Sequence, residues 1–222
     1  MLEDCGDAPD FTHIYRDATI SSIEVAWLTE FLVKLHSRFR DTNLAGVFAN
    51  AEMRRLNHEH IFEFPLRTGN GLNLNAITPG LADAARNLQE DLPYRNRVAS
   101  LGELYLNAGQ CLIHGDYFPG SWLRVSKGIK VIDLEFGFFG LPELDLGMMA
   151  AHFHMARCPE WAVENAMTAY RAECSIDLDL ARGFTGAEIM RRLIGVAQLP
   201  LHCDLEEKQR LLELSRRMVM NL

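Results

Sequence analysis

Apolar residues recur along most of this chain at the three-to-four-residue spacing of helices. Thr19 or Ser21 can cap a helix running to about Arg40. Its positions Ile23, Trp27, Leu28, Phe31, Leu32 and Leu35 form one apolar face. The same pattern predicts helices over about 45–57, 80–107, 143–156, 160–173, 186–198 and 205–220, with Pro93 kinking or splitting the long one. Residues 63–79, with Gly69, Asn70, Gly71 and two prolines, read as loop, and residues 1–18 as a connecting segment. The period changes once. Gln110–His114, Ser121–Ser126 and Ile129–Asp133 are short runs rich in Leu, Ile, Val and Trp, punctuated by Gly and Pro, and they read as strands. The expected fold class is α+β, mainly α, with a small β-rich insert in a helical body.

Composition narrows the function classes. The 222 residues carry 22 Lys and Arg against 30 Asp and Glu, a net charge of −8, so a basic nucleic-acid-binding face is not expected. Cys5, Cys111, Cys158, Cys174 and Cys203 are odd in number and form no CxxC pair, which points to reduced thiols rather than a disulfide framework. No segment reads as a signal peptide or reaches the ~20 apolar residues of a membrane span. The expectation is a cytoplasmic protein with neither nucleic-acid nor membrane partners. The oligomeric state stays open, a dimer included.

The residues with chemical potential concentrate in Cys111–Gly147. One apolar run delivers His114-Gly115-Asp116 into a loop. Ser121 follows five residues after Asp116. Asp133 closes another apolar run seventeen residues after Asp116, with Glu135 two residues on. Phosphoryl transfer needs a carboxylate to accept or orient the proton of the attacking hydroxyl, and oxygen ligands that hold Mg²⁺ against nucleotide phosphates. Asp116 suits the first task. Asp133 and Glu135, able to share one side of an extended segment, suit the second. Ser121 is either a further neutral ligand or a turn residue. His58-Glu59-His60 and His152-Phe153-His154 lack a partner cluster at metal-site spacing and are expected to be structural or surface groups. Trp122, Phe136, Phe138 and Phe139 read as core beside the loop.

HGD-x4-S, a strand-ending Asp-x-Glu and then Asp145-Leu146-Gly147 together resemble the catalytic core of aminoglycoside-phosphotransferase-like kinases, in the protein-kinase-like superfamily. Gly120-Ser121, Asp133-Leu134-Glu135 and Arg191-Arg192-Leu193-Ile194-Gly195-Val196-Ala197 are most similar to methylthioribose kinases. The resemblance implies the C-terminal lobe of a protein-kinase-like fold, with ATP as donor, Mg²⁺ as cofactor and a small-molecule hydroxyl as acceptor. It implies that Asp116 is the catalytic aspartate and that Asp133 and Glu135 ligate Mg²⁺, with Ser121 where a second metal ligand sits. Asp145 would brace the catalytic loop and His114 support it. Arg191 and Arg192 would face the substrate and transferred phosphate. Met1–Cys5 resembles the hinge that meets adenine, through Glu3 and Cys5. Tyr117-Phe118-Pro119 and Leu134 depart from the methylthioribose kinase pattern beside the acceptor site. Aminoglycoside, choline or homoserine-type acceptors therefore stay open, as does a non-catalytic binding or regulatory remnant.

The expected division is a hinge or linker at 1–18 and a helical C-lobe at 19–222, with the catalytic core at 110–147. An N-terminal lobe is expected to be absent. Gly69-Asn70-Gly71 is the one GxG and lacks the next glycine of a phosphate loop, and there is no Walker A motif. The isolated 222-residue protein is accordingly expected to show weak or no kinase activity. Full turnover in a steady-state assay of this chain would refute that.

Overall fold

Ser21 caps the first long helix with both halves of a capping box. Its hydroxyl accepts the Glu24 backbone N–H, and the Glu24 carboxylate accepts the Ser21 N–H at 2.8 Å. In this computed structural model, which describes residues 6–40, 44 and 46–222, that helix is α2 (Ser22–Arg38). The hinge expected at Met1–Cys5, with Glu3 and Cys5, lies outside the described residues. The inward face of α2 is Val25, Leu28, Thr29, Leu32 and His36, while Ile23 points to solvent at 55% exposure. The segment before it is more than a connector. Phe11, Ile14 and Tyr15 are buried around a single helical turn, α1 (Ile14–Asp17).

Several boundaries differ from the sequence expectation, each for a local reason. The helix expected at 45–57 is α3 (Ala51–His58), because Asn50 takes a left-handed conformation (φ 42°) that breaks any helix through it. Val47, inside the expected helix, lies in a turn before α3 and is 76% exposed. After α3 the chain continues through a π turn (59–63) and a 3₁₀ turn (64–66), then α4 (Leu74–Ile77) inside the expected loop. The long 80–107 helix is two, α5 (Leu81–Glu90) and α6 (Leu92–Leu106). Pro93 sits in the first turn of α6 and Asp91 caps it. The helix expected from 186 begins eight residues earlier as α9 (Leu178–Ile194), capped by Asp177.

Four strands form two antiparallel ribbons. β1 (Cys111–Ile113) pairs with β4 (Phe138–Gly140), Leu112 opposite Phe139. β2 (Trp122–Val125) and β3 (Gly128–Val131) form a tight hairpin, Leu123 opposite Lys130. β4 was missed because Phe-Phe-Gly is too short to show a period. The two ribbons hold the loops between their strands, 114–121 and 132–137, side by side.

α7 (Pro142–Met155) organises the core. Every residue of it but His154 is buried, its polar Glu143, Asp145 and His152 included, so the helix is enclosed on nearly every side. Leu144, Met148, Ala151 and Met155 join one cluster with Phe184, Ala187 and Met190 of α9, Val98 and Leu101 of α6, and Leu211 of α10 (Leu205–Met220). Leu146, Met149 and Phe153 join a second cluster with α2, Tyr117, Trp122 and Tyr170 of α8 (Trp161–Glu173). Gly147 of α7 packs directly against the backbone of α9. A methyl group there would lie 2.8 Å from the Ala181 carbonyl oxygen and 2.8 Å from Phe184 Cβ. Gly147→Ala is therefore expected to destabilise the protein. Overpacking costs about 1–3 kcal/mol, against about 1 kcal/mol gained in helix propensity, and the carbonyl cannot yield without moving α9. Urea unfolding with a lower midpoint and unchanged slope is the expected result.

Candidate active site

The loop leaving β1 is held by a buried carboxylate. Asp145, in the first turn of α7, accepts the backbone N–H of His114 (2.7 Å, Oδ2) and of Gly115 (2.9 Å, Oδ1). Its Oδ2 also accepts His36 Nε2–H at 3.1 Å, and His36 Nδ1 in turn lies 2.8 Å from the Tyr170 hydroxyl. Burial opposes ionisation of Asp145, but the bonds and charge of His36 and the contacts with His114 outweigh it and hold the carboxyl below its ordinary value. His114 Nε2–H donates to the Ile132 carbonyl (2.9 Å), which leaves Nδ1 to accept the Asp116 N–H (3.4 Å). The histidine thus ties the His114-Gly115-Asp116 loop to the segment that carries Asp133.

Gly115 needs to be glycine on two counts. Its φ is +82°, and a Cβ there would sit 2.3 Å from the Phe136 carbonyl oxygen. Its own carbonyl accepts Asn57 Nδ2–H at 3.0 Å. Asn50 donates to the carbonyls of Glu135 (2.6 Å) and Gly137 (3.1 Å). Both asparagines escaped the sequence reading. Two lone amides outside any motif carry no signal until folding sets α3 against these loops.

Asp116, with its side chain 14% exposed, lies at the end of a buried charge cluster. Its Oδ1 accepts Arg191 Nη1–H (3.0 Å) and Arg192 Nη2–H (2.7 Å). One turn earlier on α9, Glu188 Oε2 accepts Arg191 Nη1–H (3.0 Å) and Oε1 accepts Arg192 Nε–H (2.5 Å). Burial alone would raise the Glu188 carboxyl, but the two arginines hold it well below the carboxylate range. Burial likewise opposes the charge on Arg192, and Glu188 and Asp116 more than restore it. His152 Nε2 lies 3.3 Å from Glu188 Oε1, out of hydrogen-bond alignment, and Nδ1 is 2.7 Å from the Tyr15 hydroxyl. Arg192 also rides over the Phe118 ring at 4.8 Å. Glu188, His152 and Tyr15 were not among the predicted site residues. The i, i+3, i+4 spacing of Glu188 to the two arginines was the available signal.

Asp133 and Glu135 stand on the neighbouring loop, both exposed. Asp133 is left-handed (φ 63°) and precedes a 3₁₀ turn over Leu134–Phe136. Neither carboxylate has a side-chain partner among the described residues. Among those residues no group of three or more His, Cys, Asp or Glu gathers as a metal site. Two hard carboxylates are the protein share that Mg²⁺ takes when phosphates and waters supply the rest, so this donor set suits that ion. Ser121 is placed differently from the other expected ligands. It is fully buried, and its hydroxyl donates to the Asp116 carbonyl at 3.4 Å, closing the loop. No helix among the described residues is long and apolar enough to cross a membrane.

Comparison with known proteins gives this geometry a context. Residues 14–182 match the sequence profile of the phosphotransferase enzyme family. The methylthioribose kinase of Exiguobacterium sibiricum is 28% identical over 196 residues, covering 74% of this chain and 49% of that protein. That of Erwinia tasmaniensis is 27% identical over 192 residues, covering 68% and 47%. The chain spans about half the length of the curated relatives it matches. Among solved structures, a spectinomycin phosphotransferase in complex with ADP and spectinomycin superposes with a TM-score of 0.53 at 14% identity, over 96% of this chain and 68% of that one. A glucosamine kinase gives 0.51 at 15%, over 98% and 58%. The fold is that of one lobe of these kinases.

His152 supplies a pH test of the cluster. Burial first, and the charge of Arg192, push its pKa from 6.5 to about 4 against the pull of Glu188, so it is neutral at pH 7. A base with a depressed folded-state pKa contributes stability that is whole above the unfolded value and lost as pH falls through the folded one. Between pH 6.5 and 4 the loss should reach about 3 kcal/mol, at about 1.4 kcal/mol per pH unit. His152→Gln should flatten that part of the stability profile, measured by urea midpoints at stepped pH. The Asp145 contribution falls away only below the ordinary carboxylate range and stays separate.

Proposed function

This chain belongs to the phosphotransferase enzyme family, and from that premise we propose that it forms the acceptor-side lobe of a kinase that moves the γ-phosphoryl group of ATP to a hydroxyl of a small metabolite. The observation that carries the reading is the placement of Asp116. Its loop is fixed by Asp145, its Oδ1 faces two guanidiniums, and the loop bearing Asp133 and Glu135 is tied to it through His114 and Gly115.

In this reading the arginine bonds fall on Asp116 Oδ1, leaving Oδ2 to take the acceptor hydroxyl. The carboxylate orients that hydroxyl and receives its proton as the oxygen bonds to the γ-phosphorus and the bond to the β-phosphate oxygen breaks, releasing ADP. Arg191 and Arg192 balance negative charge at that end of the cleft. Asp133 and Glu135 hold Mg²⁺, which when bound neutralises phosphate charge. Glu3 and Cys5 belong to the proposed adenine-facing hinge.

The acceptor we favour is methylthioribose, on the strength of the curated relatives. Phe118 lies against both Arg192 and His152 and would shape the acceptor side. Two experiments test the reading. Asp116→Asn in the full-length protein should lower kcat by about 10²–10⁴, and unchanged turnover sinks the mechanism. ADP binding by calorimetry should strengthen with Mg²⁺ in the wild type, and Asp133→Asn with Glu135→Gln should remove that magnesium dependence. A screen of methylthioribose beside aminoglycosides, choline and homoserine identifies the acceptor.

A further inference from the structure

The charge cluster behind Asp116 has a definite internal order. Arg191 and Arg192 are adjacent in sequence, so on a helix their side chains leave the axis in different directions, roughly 100° apart. Both nevertheless converge on one oxygen, Asp116 Oδ1. Glu188 makes that convergence possible. At i+3 and i+4 from it, the two arginines flank its carboxylate: Oε2 takes Arg191 Nη1–H at 3.0 Å, and Oε1 takes Arg192 Nε–H at 2.5 Å with a longer contact to Arg191 Nη1–H at 3.4 Å. The bond to Arg192 Nε orients the guanidinium plane, so Nη2 is the edge presented to Asp116. Phe118 covers the face of the same guanidinium.

Charge gives the same ranking. Asp116 and Glu188 together offset two buried cations, but Glu188 is 1% exposed and makes three bonds to them, whereas Asp116 is 14% exposed and contributes one oxygen. Glu188 is walled in behind by His152, whose Nδ1 is held by Tyr15. Arg191 keeps a buried Nε–H with no partner, so its guanidinium is secured by its Nη1 contacts to Glu188 and Asp116 rather than by a full set of bonds.

We infer that Glu188 is a positioning residue: it anchors Arg191 and Arg192 so that both guanidiniums address Asp116 Oδ1, with His152, held by Tyr15, packed behind it. The arginine pair keeps this pose whether or not Asp116 carries a charge. Under the proposed kinase activity, on which its functional consequence rests, this leaves Asp116 able to engage an acceptor while the cations stay in place.

The decisive measurement does not require turnover. In ¹⁵N spectra of arginine side chains of the 222-residue chain, a guanidinium held by ion pairs rotates slowly and gives resolved Nη signals. Those of Arg191 and Arg192 are assigned by their loss in Arg191→Lys and Arg192→Lys. We expect Glu188→Gln to collapse both sets and Asp116→Asn to leave both resolved. The reverse pattern, or resolved signals in Glu188→Gln, overturns the anchor. Should Glu188→Gln not fold, Glu188→Asp keeps the charge and withdraws it by one methylene. It should blur at least one set, and a spectrum identical to wild type overturns the proposal equally. In the full-length protein, Glu188→Asp should lower kcat by about 100-fold, the cost of a small misplacement, with the nucleotide KM unchanged. A change confined to nucleotide KM would also overturn it. A wild-type protein without transfer activity would refute the kinase reading and leave the spectra to decide the anchor.

Discussion

A carboxylate removed from water holds the candidate site together. Asp145 receives the N–H groups of His114 and Gly115 and the imidazole of His36, and no water is needed to satisfy it. A buried charge survives only with such partners, because desolvation costs more than a single bond returns. The constraint works in both directions. The carboxylate needs the loop's N–H groups, and the loop's backbone, turned by a left-handed glycine, needs an acceptor for them. His36 brings α2 into the same arrangement, and α7 brings the core, so the 114–121 loop is anchored to two long helices.

From that fixed loop, contacts spread to its neighbours. The His114 side chain reaches Ile132, the Gly115 α-carbon lies under Phe136, and Asn57 and Asn50 tie α3 to both loops. Asp116 is the one acid of the loop left facing the arginines. The buried quartet of Asp116, Glu188, Arg191 and Arg192 pairs two charges of each sign, which offsets much of the cost of keeping guanidiniums out of water, with the more deeply buried Glu188 carrying the larger share. Asp133 and Glu135 differ in kind. They are exposed, side-chain-unpartnered among the described residues, and mounted on a left-handed turn, a conformation that aspartate tolerates better than most residues.

Much of the fold was legible because amphipathic periodicity reports burial directly. The capping box at Ser21, the proline at the start of α6 and the acid cap at Asp204 set helix starts through short-range bonds near the expected positions, whereas the Asp177 cap starts α9 eight residues before the expected one. Legibility failed where burial came from elsewhere. Val47 and Phe48 look like a helical face yet lie in an exposed turn, and Phe11 and Tyr15 look like a linker yet sit in the core beside Trp122 and His152. In the site, Asp116, Asp133, Glu135 and Asp145 stood out through joint spacing. Ser121 stood out too, but its hydroxyl turned inward to the Asp116 carbonyl.

The sequence by itself determined the helical body, the single β-rich insert and the acids that phosphoryl transfer would use, since local periodicity and motif spacing depend on neighbours within a few residues. Only the tertiary structure decided which partners those acids meet. His36 reaches Asp145 across 109 residues, Arg191 and Arg192 reach Asp116 across 75 and 76, and Tyr15 reaches His152 across 137. Contacts of that range leave no period in the chain. They exist because α7 is buried on nearly every side and draws α2, α9 and the 114–121 loop onto one axis, where each polar group brought in had to find a partner or stay outside.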